Sequence, residues 1–506
     1  MAPPLRDTSW AALGTLALAK LALHLATSTG YGHFRDELYY LASTEHLAWG
    51  YVEHPPLSIA LLWLARTGLG ESLLALRCLP ALAGAATVIV TGLLARELGG
   101  GSRAQFLAAL SVLVTPFYLA VGHFYSMNVF DVLLWATLGW LAARILLRSE
   151  PRLWLVFGLV AGIGLLNKVS VGFLGFGLVV GLALTPQRRW FSSPWLWLGG
   201  GIAFVVFLPH FFWQIQHDWP TLEFQANARA DKNPTLSPFE FAAQQFQLGN
   251  PVLLPLWLTG LGGLLASRRL AAVRPLGIAY AVLFVLFVAT TAKAYYLAPI
   301  YTILFAAGAV ISEPVLARRT WRMPVAAAVA VFGSLPALPV ALPVLSQERF
   351  IAYSRAIGLE APVLERHEQG SLPQNLADMH GWRELVDTVE RVVASLAPEE
   401  RRRAVVLATN YGEAGAVEVL GRHRGLPPVV CGHNSYWEWR PATLEGPVIA
   451  LRRSREELER WFESVERVDT VRCRWCMPYQ KDAPVHVARG LKVPLEQFWR
   501  EIKRFI

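Results

Sequence analysis

The chain is poor in charged residues. Only 16% of its 506 residues are Asp, Glu, Lys or Arg, whereas 54% are hydrophobic. Because a soluble domain carries about a quarter charged residues, this scarcity excludes a purely soluble protein. Nearly all of the long apolar runs lie before residue 345. We therefore expect a membrane domain over residues 1–344 and a globular domain over residues 345–506.

Acidic residues are scarce in the membrane part alone. The whole chain has a net charge of +9, which by itself suggests a nucleic-acid-binding protein. Residues 345–506, however, hold 24 basic and 23 acidic residues, so the positive excess lies among the apolar segments. There the arginines gather in alternate short loops, which is the pattern that orients a membrane protein. We therefore predict contact with membrane lipids and no nucleic acid partner.

Eleven apolar segments have the length, or nearly the length, needed to cross about 30 Å of hydrocarbon. They cover residues 10–29, 73–95, 104–121, 128–147, 153–166, 169–185, 195–213, 250–266, 275–291, 295–312 and 323–344. With a cytoplasmic N-terminus, the arginine clusters between these segments all fall on the inner side. The pattern predicts a multi-pass protein of the plasma (inner) membrane whose residues 345–506 are periplasmic or extracellular.

Two features of the membrane part allow two interpretations each. Segments 153–166 and 169–185 are separated only by Asn167 and Lys168, so they also fit one broken helix. The outer loops cover residues 30–56, 122–128 and 214–249, and the last of these is long and rich in aromatic residues. It is either a lid over the site or an amphipathic segment on the membrane surface.

Residues 345–506 have the mixed composition of a folded α/β domain. Helical patterns with charged faces lie near residues 381–396 and 454–466. Short runs rich in β-branched residues, at residues 404–409 and 448–451, predict strands of a small sheet.

Cysteine is rare, and three of the four cysteines lie in the outer domain. Cys431, Cys473 and Cys476 are disulfide candidates there, because exported domains form disulfides readily. A metal site with His433 or His486 is an alternative, although one C-x-x-C lacks the second pair of a structural zinc site. Simple buried thiols are the third interpretation.

Acidic side chains at the outer boundary are candidates for chemistry. Asp36, Glu37 and Glu53 lie in the 30–56 loop, and Asp131 follows the 122–128 loop. A partly desolvated carboxylate is suited to general-base work. Alternatively, Asp36 and Glu37 cap a helix running from about residue 38 to residue 47. The helix-cap interpretation does not account for Asp131, and charged residues within membrane segments are costly and usually functional.

Several spaced motifs resemble a known family. They are Arg35-Asp-Glu-Leu-Tyr-Tyr, Glu53-His-Pro-Pro-Leu, Met127-Asn-Val-Phe-Asp131, Leu165-Leu-Asn-Lys-Val and Lys293-Ala-Tyr-Tyr-Leu-Ala-Pro. In this order they resemble the bacterial dolichyl-phosphate-mannose-protein mannosyltransferase-like group of GT-C glycosyltransferases (glycosyltransferase family 39), which includes the lipid A aminoarabinose transferases. The outer-domain runs 410–416 and 432–437 also look like members of this group. The resemblance implies a polytopic α-helical GT-C protein of about eleven transmembrane helices with a C-terminal α/β extracytoplasmic domain.

The resemblance also implies a reaction. Such enzymes move a sugar from a polyprenyl-phosphate donor, with inversion, to an acceptor on the outer face, here a lipid, a glycan or a protein. Asp36 matches the general base or acceptor-orienting acid, Glu53 matches a second acid, and Asp131 matches a further acid. His54 replaces the basic residue that the family has before the proline, so a permanently charged Lys is missing at this phosphate-binding position.

The chemistry supports these roles independently. An inverting transfer needs one carboxylate to accept a proton, while the departing phosphate needs cations rather than an acid. Lys168, Lys293 and Arg229 are the candidate phosphate ligands, together with His54 and Lys232. Snorkelling to the headgroup region is the alternative for Lys168 and Lys232. Tyr295 and Tyr296 are predicted to line the donor site, unless they belong to an interfacial aromatic belt.

Other function classes remain as alternatives. A secondary transporter or lipid flippase also places charges inside a helical bundle, but its site would lie near the midplane, often with internal repeats, and no repeat is evident here. A non-catalytic assembly protein would leave the acids unexplained. No cofactor is predicted with certainty and no metal site is predicted, although the acids and His54 leave a divalent cation open.

Overall fold

The membrane part is a bundle of helices in the computed structural model, which describes residues 6–506 except 359–364, 366, 367 and 369. Its α-helices are Trp10–Thr27, Arg35–Ser43, Leu57–Leu69, Leu73–Glu97, Ser102–Val114, Pro116–His123, Met127–Arg148, Leu153–Asn167, Val171–Ala183, Pro194–Gln216, Pro220–Asn227, Pro238–Leu248, Leu254–Ala266, Arg274–Ala289, Tyr301–Ala317, Arg322–Ser334 and Leu338–Ala341. Each of the eleven predicted apolar segments coincides with one of these helices or with a bent pair of them.

Among the described residues, seven helices are long and apolar enough to cross a membrane, and three bent pairs raise the number to ten. The pair Ser102–Val114 and Pro116–His123 bends by 59° at Pro116, where proline at the first helical position starts a new helix. Leu57–Leu69 and Leu153–Asn167 are shorter apolar helices outside this count, so the described residues give up to ten spans where the sequence predicts eleven. The predicted segment 153–166 corresponds to Leu153–Asn167. The structure separates it from Val171–Ala183, so two helices form rather than one.

Central and peripheral helices of the bundle differ in the exposure of their aromatic side chains, as expected for a membrane protein. Met127–Arg148 is central and buries Trp135 completely, whereas Pro194–Gln216 leaves Phe204 and Phe212 exposed. Small residues permit close helix contacts, since a Cβ on Gly158 would collide with the backbone of Gly199.

The arginine loops and the 30–56 loop lie at opposite ends of the bundle. Leu73–Glu97 spans 25 residues, which corresponds to about 37 Å of helix. Near its first turn Arg77 contacts Glu37 of the 30–56 loop, while its last residue, Glu97, pairs with Arg148 at 2.8 Å. Arg269 also reaches this second end, where it donates to the Gly99 carbonyl. The alternation seen in the sequence therefore corresponds to two distinct ends of the molecule.

The outer domain is a five-stranded sheet between helices. Its strands are β1 (Val405–Ala408), β2 (Val429–Cys431), β3 (Val448–Leu451), β4 (Phe462–Val471) and β5 (Ala483–Leu491), in the order β2-β1-β3-β5-β4. β1 pairs in parallel with both β2 and β3, while β5 is antiparallel to β3 and β4. The α-helices are Gln347–Ala356, Gln374–Ala377, Trp382–Ser395, Pro398–Arg403, Tyr411–Gly415, Ser435–Glu438, Arg455–Leu458 and Leu495–Ile502.

Two helix predictions need correction. The helix expected over 454–466 covers only Arg455–Leu458, and the chain then enters β4, where pairing with β5 outweighs the local helical pattern. The helix expected from about 38 to 47 is Arg35–Ser43, so it begins earlier. The strands near 404–409 and 448–451 and the helix near 381–396 are confirmed.

The outer domain packs directly on the 30–56 loop. Leu38 and Tyr39 of helix Arg35–Ser43 share one buried apolar cluster with Trp382, Tyr411 and Tyr436 of the outer domain. The catalytic loop predicted from the sequence is thus enclosed between the bundle and the outer domain.

Candidate active site

A cavity of about 560 Å³ lies between the ends of the membrane helices and the outer domain. Most of the predicted site residues line it: Asp36, Glu53, His54, Lys168, Arg229, Lys293, Tyr295 and Tyr296. Five separate stretches of the membrane domain contribute to the wall, and so do three separate residues of the outer domain, Glu365, Tyr411 and Asn434. Glu37 and Asp131 lie outside the lining and support it from behind.

Asp36 is in the first turn of helix Arg35–Ser43. The helix begins here because Phe34 is extended and its N–H donates to the Glu37 carboxylate at 2.8 Å. The Oδ1 atom of Asp36 accepts a hydrogen bond from the Tyr411 hydroxyl at 2.9 Å, and Arg35 Nε lies 3.6 Å away. The side chain keeps 31% of its surface exposed. One carboxylate oxygen is therefore bound while the group remains accessible from the cavity.

Glu37, the next residue, is fully buried in a network of four hydrogen bonds. Arg77 donates to it through Nε at 2.9 Å and through Nη2 at 2.7 Å. The backbone N–H groups of Phe34 and Tyr125 complete the network, each at 2.8 Å. Glu37 thus ties the 30–56 loop to helix Leu73–Glu97 and to the second outer loop, as the helix-cap interpretation expected for this position.

Glu53 is the second carboxylate of the cavity. Its Oε2 accepts a hydrogen bond from the Tyr39 hydroxyl at 3.1 Å, and the Asn434 side chain also hydrogen-bonds to it. Burial raises the pKa of Glu53 to about 7, and these hydrogen bonds only partly oppose that shift. A carboxyl group with this pKa exchanges its proton near neutral pH, which suits acid–base chemistry.

His54 is buried beside Glu53 and stacks on Tyr40, with ring centroids 4.9 Å apart. Its Nδ1 lies 3.0 Å from the Pro55 carbonyl oxygen, so this nitrogen carries the proton and donates it. Burial lowers the pKa of His54 to about 4, which makes the ring neutral and leaves Nε2 as an acceptor. A neutral acceptor does not hold a phosphate oxygen, so this geometry speaks against the phosphate contact predicted for His54.

Lys168 and Asp131 form one buried unit. The helix Leu153–Asn167 ends immediately before Lys168, whose Nζ donates to Asn128 Oδ1 at 2.8 Å and lies 3.6 Å from Asp131 Oδ2. Asp131 also accepts a hydrogen bond from Ser170 at 2.6 Å. The predicted further acid therefore orients a cation of the cavity wall.

Tyr295 and Tyr296 lie beside the same lysine. The Lys168 ammonium is 5.6 Å and 5.2 Å from their ring centroids, within the range of a cation–π contact. Both rings are in the cavity wall, as predicted for residues that line a donor site.

Three further cations line the cavity. Lys293 Nζ and Lys232 Nζ lie 3.1 Å and 3.3 Å from the same oxygen of Glu365. Arg229 precedes Lys232 in a helical turn and is largely exposed. A carboxylate oxygen between two ammonium groups marks a place that favours a bound oxyanion.

Sequence reasoning missed several residues of the cavity. Arg35 lies within 4.0 Å of three carboxylates, those of Asp36, Asp378 and Glu365. Burial raises the pKa of Asp378 to about 6, although Arg35 opposes this. The outer-domain residues Tyr411 and Asn434 were also missed. Their runs had been noticed in the sequence, but no sequence signal places them beside Asp36 and Glu53.

The three cysteines of the outer domain differ in their state. Cys473 and Cys476 form a disulfide, whereas Cys431 is a buried free thiol at the end of β2 and is not a disulfide partner. In the part of the chain that the structure describes, no three His, Cys, Asp or Glu side chains are grouped as metal ligands. Neither His433 nor His486 therefore belongs to a cysteine metal site there.

Comparison with known proteins agrees with this geometry. The family model described as dolichyl-phosphate-mannose-protein mannosyltransferase matches residues 53–213. The fold resembles ArnT from Cupriavidus metallidurans bound to undecaprenyl phosphate, with a TM-score of 0.59, 15% identity and coverage of 95% of this chain and 98% of that chain. The apo state of the same ArnT gives a TM-score of 0.57 at 16% identity, covering 94% and 97% of the two chains. The chain thus has the fold of ArnT, and the family model over residues 53–213 indicates a membrane glycosyltransferase.

The resemblance predicted from spaced motifs is thereby confirmed for the fold and for the enzyme class. No curated protein resembles the glycosyltransferase closely enough in sequence to count as a match. The transporter or flippase alternative has no support from these comparisons, since the family model that matches the chain describes a transferase.

Proposed function

We propose that this glycosyltransferase moves a sugar from a polyprenyl-phosphate donor to a lipid, glycan or protein acceptor at the outer face of the membrane. One observation carries the proposal. A single cavity brings the carboxylates Asp36 and Glu53 together with the cations Lys168, Lys293 and Arg229. A phosphate-linked sugar and an acceptor hydroxyl need these two sets of groups.

Asp36 is the general base of the proposed reaction. Its Oδ1 is bound to Tyr411, which leaves the other oxygen to take the proton of the acceptor. The acceptor oxygen then forms a bond to the anomeric carbon while the bond from that carbon to the phosphate oxygen breaks, with inversion. The phosphate leaves as an anion and needs no proton, so the lysines stabilise it by charge alone.

The cavity wall offers two kinds of groups to the donor. Lys168, Lys293, Lys232 and Arg229 are the cations that receive the phosphate. Phenylalanine side chains of the same wall are suited to an isoprenoid tail: Phe173, Phe207, Phe211 and Phe287. ArnT, whose fold is similar, binds undecaprenyl phosphate, which makes this lipid the appropriate probe.

The 214–249 loop covers the donor side in this proposal. Its helix Pro220–Asn227 follows Trp219, and both Trp219 and Phe224 line the cavity. The Thr221 hydroxyl donates to the Val52 carbonyl at 2.8 Å, which joins this loop to the loop of Glu53. These contacts favour the lid interpretation over a segment that lies free on the membrane surface.

The outer-face location rests on the two ends of the bundle. The arginine loops lie at one end, and the cavity and the outer domain lie at the other. Because positive loops stay in the cytoplasm, the cavity faces outward and residues 345–506 are periplasmic or extracellular. A reporter that fluoresces only in the cytoplasm, fused after Ile506, should stay dark. A bright fusion would reverse the topology.

The reaction is tested with cell envelopes. Mass spectrometry of lipids, glycans and glycoproteins from a strain lacking the gene should show one missing sugar modification, and the wild-type gene should restore it. Asp36→Asn keeps the shape of the side chain but removes the base, so transfer should fall by about 10²- to 10⁴-fold. Asp482→Asn, at an exposed outer-domain position with φ of 52° that Asn also tolerates, is the matched control. Near-normal transfer by Asp36→Asn would reject the assignment.

A further inference from the structure

The outer domain presents the carboxyl ends of two neighbouring strands, β1 and β2, to the 30–56 loop. β1 lies between β2 and β3 and pairs in parallel with both. The chain goes from β1 to β2 on one side and then returns to β3 on the other side, so β1 is at the topological switch point of the sheet. In open α/β sheets such a switch point is where the carboxyl ends of the strands form a binding crevice. Ala408 of β1 is in register with Cys431 of β2, and both strands end there.

Each of these strand ends carries one of the two runs singled out in the sequence. The run 410–416 follows β1 and contains helix Tyr411–Gly415, while the run 432–437 follows β2. In the reaction as proposed above, the only use of either run is the contact of Tyr411 with Asp36. Both nevertheless contribute a side chain to the cavity, namely Tyr411 and Asn434.

Tyr411 is held in position from several sides. Its ring is buried between Tyr39 and His433, with centroids 4.8 Å from each, and the Arg35 guanidinium lies 5.4 Å from its centre. Gly415 makes this approach possible, because a Cβ there would lie 2.8 Å from the backbone of Leu38. The glycine thus brings the outer-domain helix against the helix of Asp36, and the Tyr411 hydroxyl reaches Asp36 Oδ1 at 2.9 Å.

Asn434 makes the equivalent contact with Glu53. Its backbone has a φ of 50° and a ψ of −135°, a conformation that favours glycine. The Oδ1 atom accepts the Ile506 N–H at 2.9 Å, so the amide nitrogen is left to face Glu53, to which the side chain hydrogen-bonds. The following residue, Ser435, donates its N–H to the Tyr39 hydroxyl at 3.2 Å, and that hydroxyl donates to Glu53.

We infer that the outer domain completes the catalytic centre, with Tyr411 and Asn434 as positioning residues for the carboxylates of Asp36 and Glu53. The inference rests on the proposed function. Each of these two hydrogen-bond donors occupies one side of a carboxylate and fixes the direction of its remaining lone pairs. A general base needs such a fixed orientation to accept the proton of the acceptor hydroxyl. The outer domain is therefore part of the active site rather than a separate recognition module.

Tyr411→Phe tests this inference because it removes only the hydroxyl. Isotope-labelled sugar transfer to the envelope product should fall by about 10- to 100-fold, the effect of losing one hydrogen bond to a charged group. Binding of undecaprenyl phosphate to the purified variant should change less than twofold. Tyr436→Phe is the matched control, since that buried hydroxyl belongs to the same domain and donates to Glu418 at 2.7 Å, and neither residue is part of the cavity lining. It should transfer at the wild-type rate despite a comparable loss of stability.

A double-mutant cycle separates positioning from general damage. If Tyr411 acts through Asp36, the variant with both Tyr411→Phe and Asp36→Asn should transfer no more slowly than Asp36→Asn alone. Multiplied losses, or a wild-type rate for Tyr411→Phe, would overturn the inference while Asp36 remains the base. A normal rate for Asp36→Asn would instead reject the proposed function.

Asn434→Gly provides a second test if the first variant does not fold. Glycine accepts the positive φ without strain, so the backbone should be retained while the amide is lost. Transfer should fall by about 10-fold or more with undecaprenyl phosphate still bound. An unchanged transfer rate in this variant would count against the inference.

Discussion

Replacing Glu37 by Gln should damage the fold rather than the chemistry, although Glu37 is adjacent to the proposed base. Gln has the same shape, but its amide nitrogen carries hydrogens where the carboxylate accepts hydrogen bonds. Two of the four bonds to Glu37 would become contacts between donors, and the Arg77 charge would stay buried without the opposite charge of Glu37. Removing one member of a buried ion pair costs about 3–5 kcal/mol.

Asp36→Asn is the comparison, because it changes the neighbouring carboxylate in the same way. Asp36 keeps 31% of its surface exposed and its ion contact with Arg35 is 3.6 Å long, so its loss should cost about 0–1 kcal/mol. Unfolding of both variants in detergent, followed by intrinsic fluorescence during heating, should show a clear drop for Glu37→Gln alone. At a temperature where it is folded, Glu37→Gln should transfer sugar within a few-fold of wild type.

The opposite pattern would refute this division of roles. A Glu37→Gln protein that unfolds like the wild type but fails to transfer would place Glu37 in the chemistry. The division would also be refuted if Asp36→Asn lowered the unfolding temperature as far as Glu37→Gln does. Of these two carboxylates, only that of Glu37 is fully buried in an ion pair.

Three further predictions concern the cavity and the outer domain. Because the raised pKa of Glu53 is about 7, its carboxylate form appears as the pH rises through 7. Transfer should therefore increase over that range, and Glu53→Gln should remove this step from the pH–rate profile. Lys293→Ala should weaken undecaprenyl phosphate binding by about tenfold or more, whereas Glu365→Gln should strengthen it by removing the carboxylate that competes with phosphate. Equal affinity of the wild type and the two variants would contradict the assignment of these groups. Alkylation of the unfolded protein without reductant should label Cys431 but neither Cys473 nor Cys476, and labelling of all three would reject the disulfide.

The sequence by itself determined the architecture of the membrane part. Hydropathy and arginine placement are local properties that depend on the solvent around each segment, so the eleven segments could be located without tertiary information. The same reasoning identified Asp36, Glu53, Lys168 and Lys293, because charged residues at membrane boundaries are too costly to retain without a purpose. It failed over 454–466, where pairing of β4 with β5 decides the conformation.

Only the tertiary structure decided what each of these residues contacts. Asp36 and Glu37 are adjacent, but successive residues of a helix point about 100° apart, so one reaches the cavity and the other reaches Arg77. Asp131 became the partner of Lys168, and Tyr411 reached Asp36 across 375 positions of sequence. Such roles depend on which distant groups share a buried space, and periodicity along the chain carries no information about that.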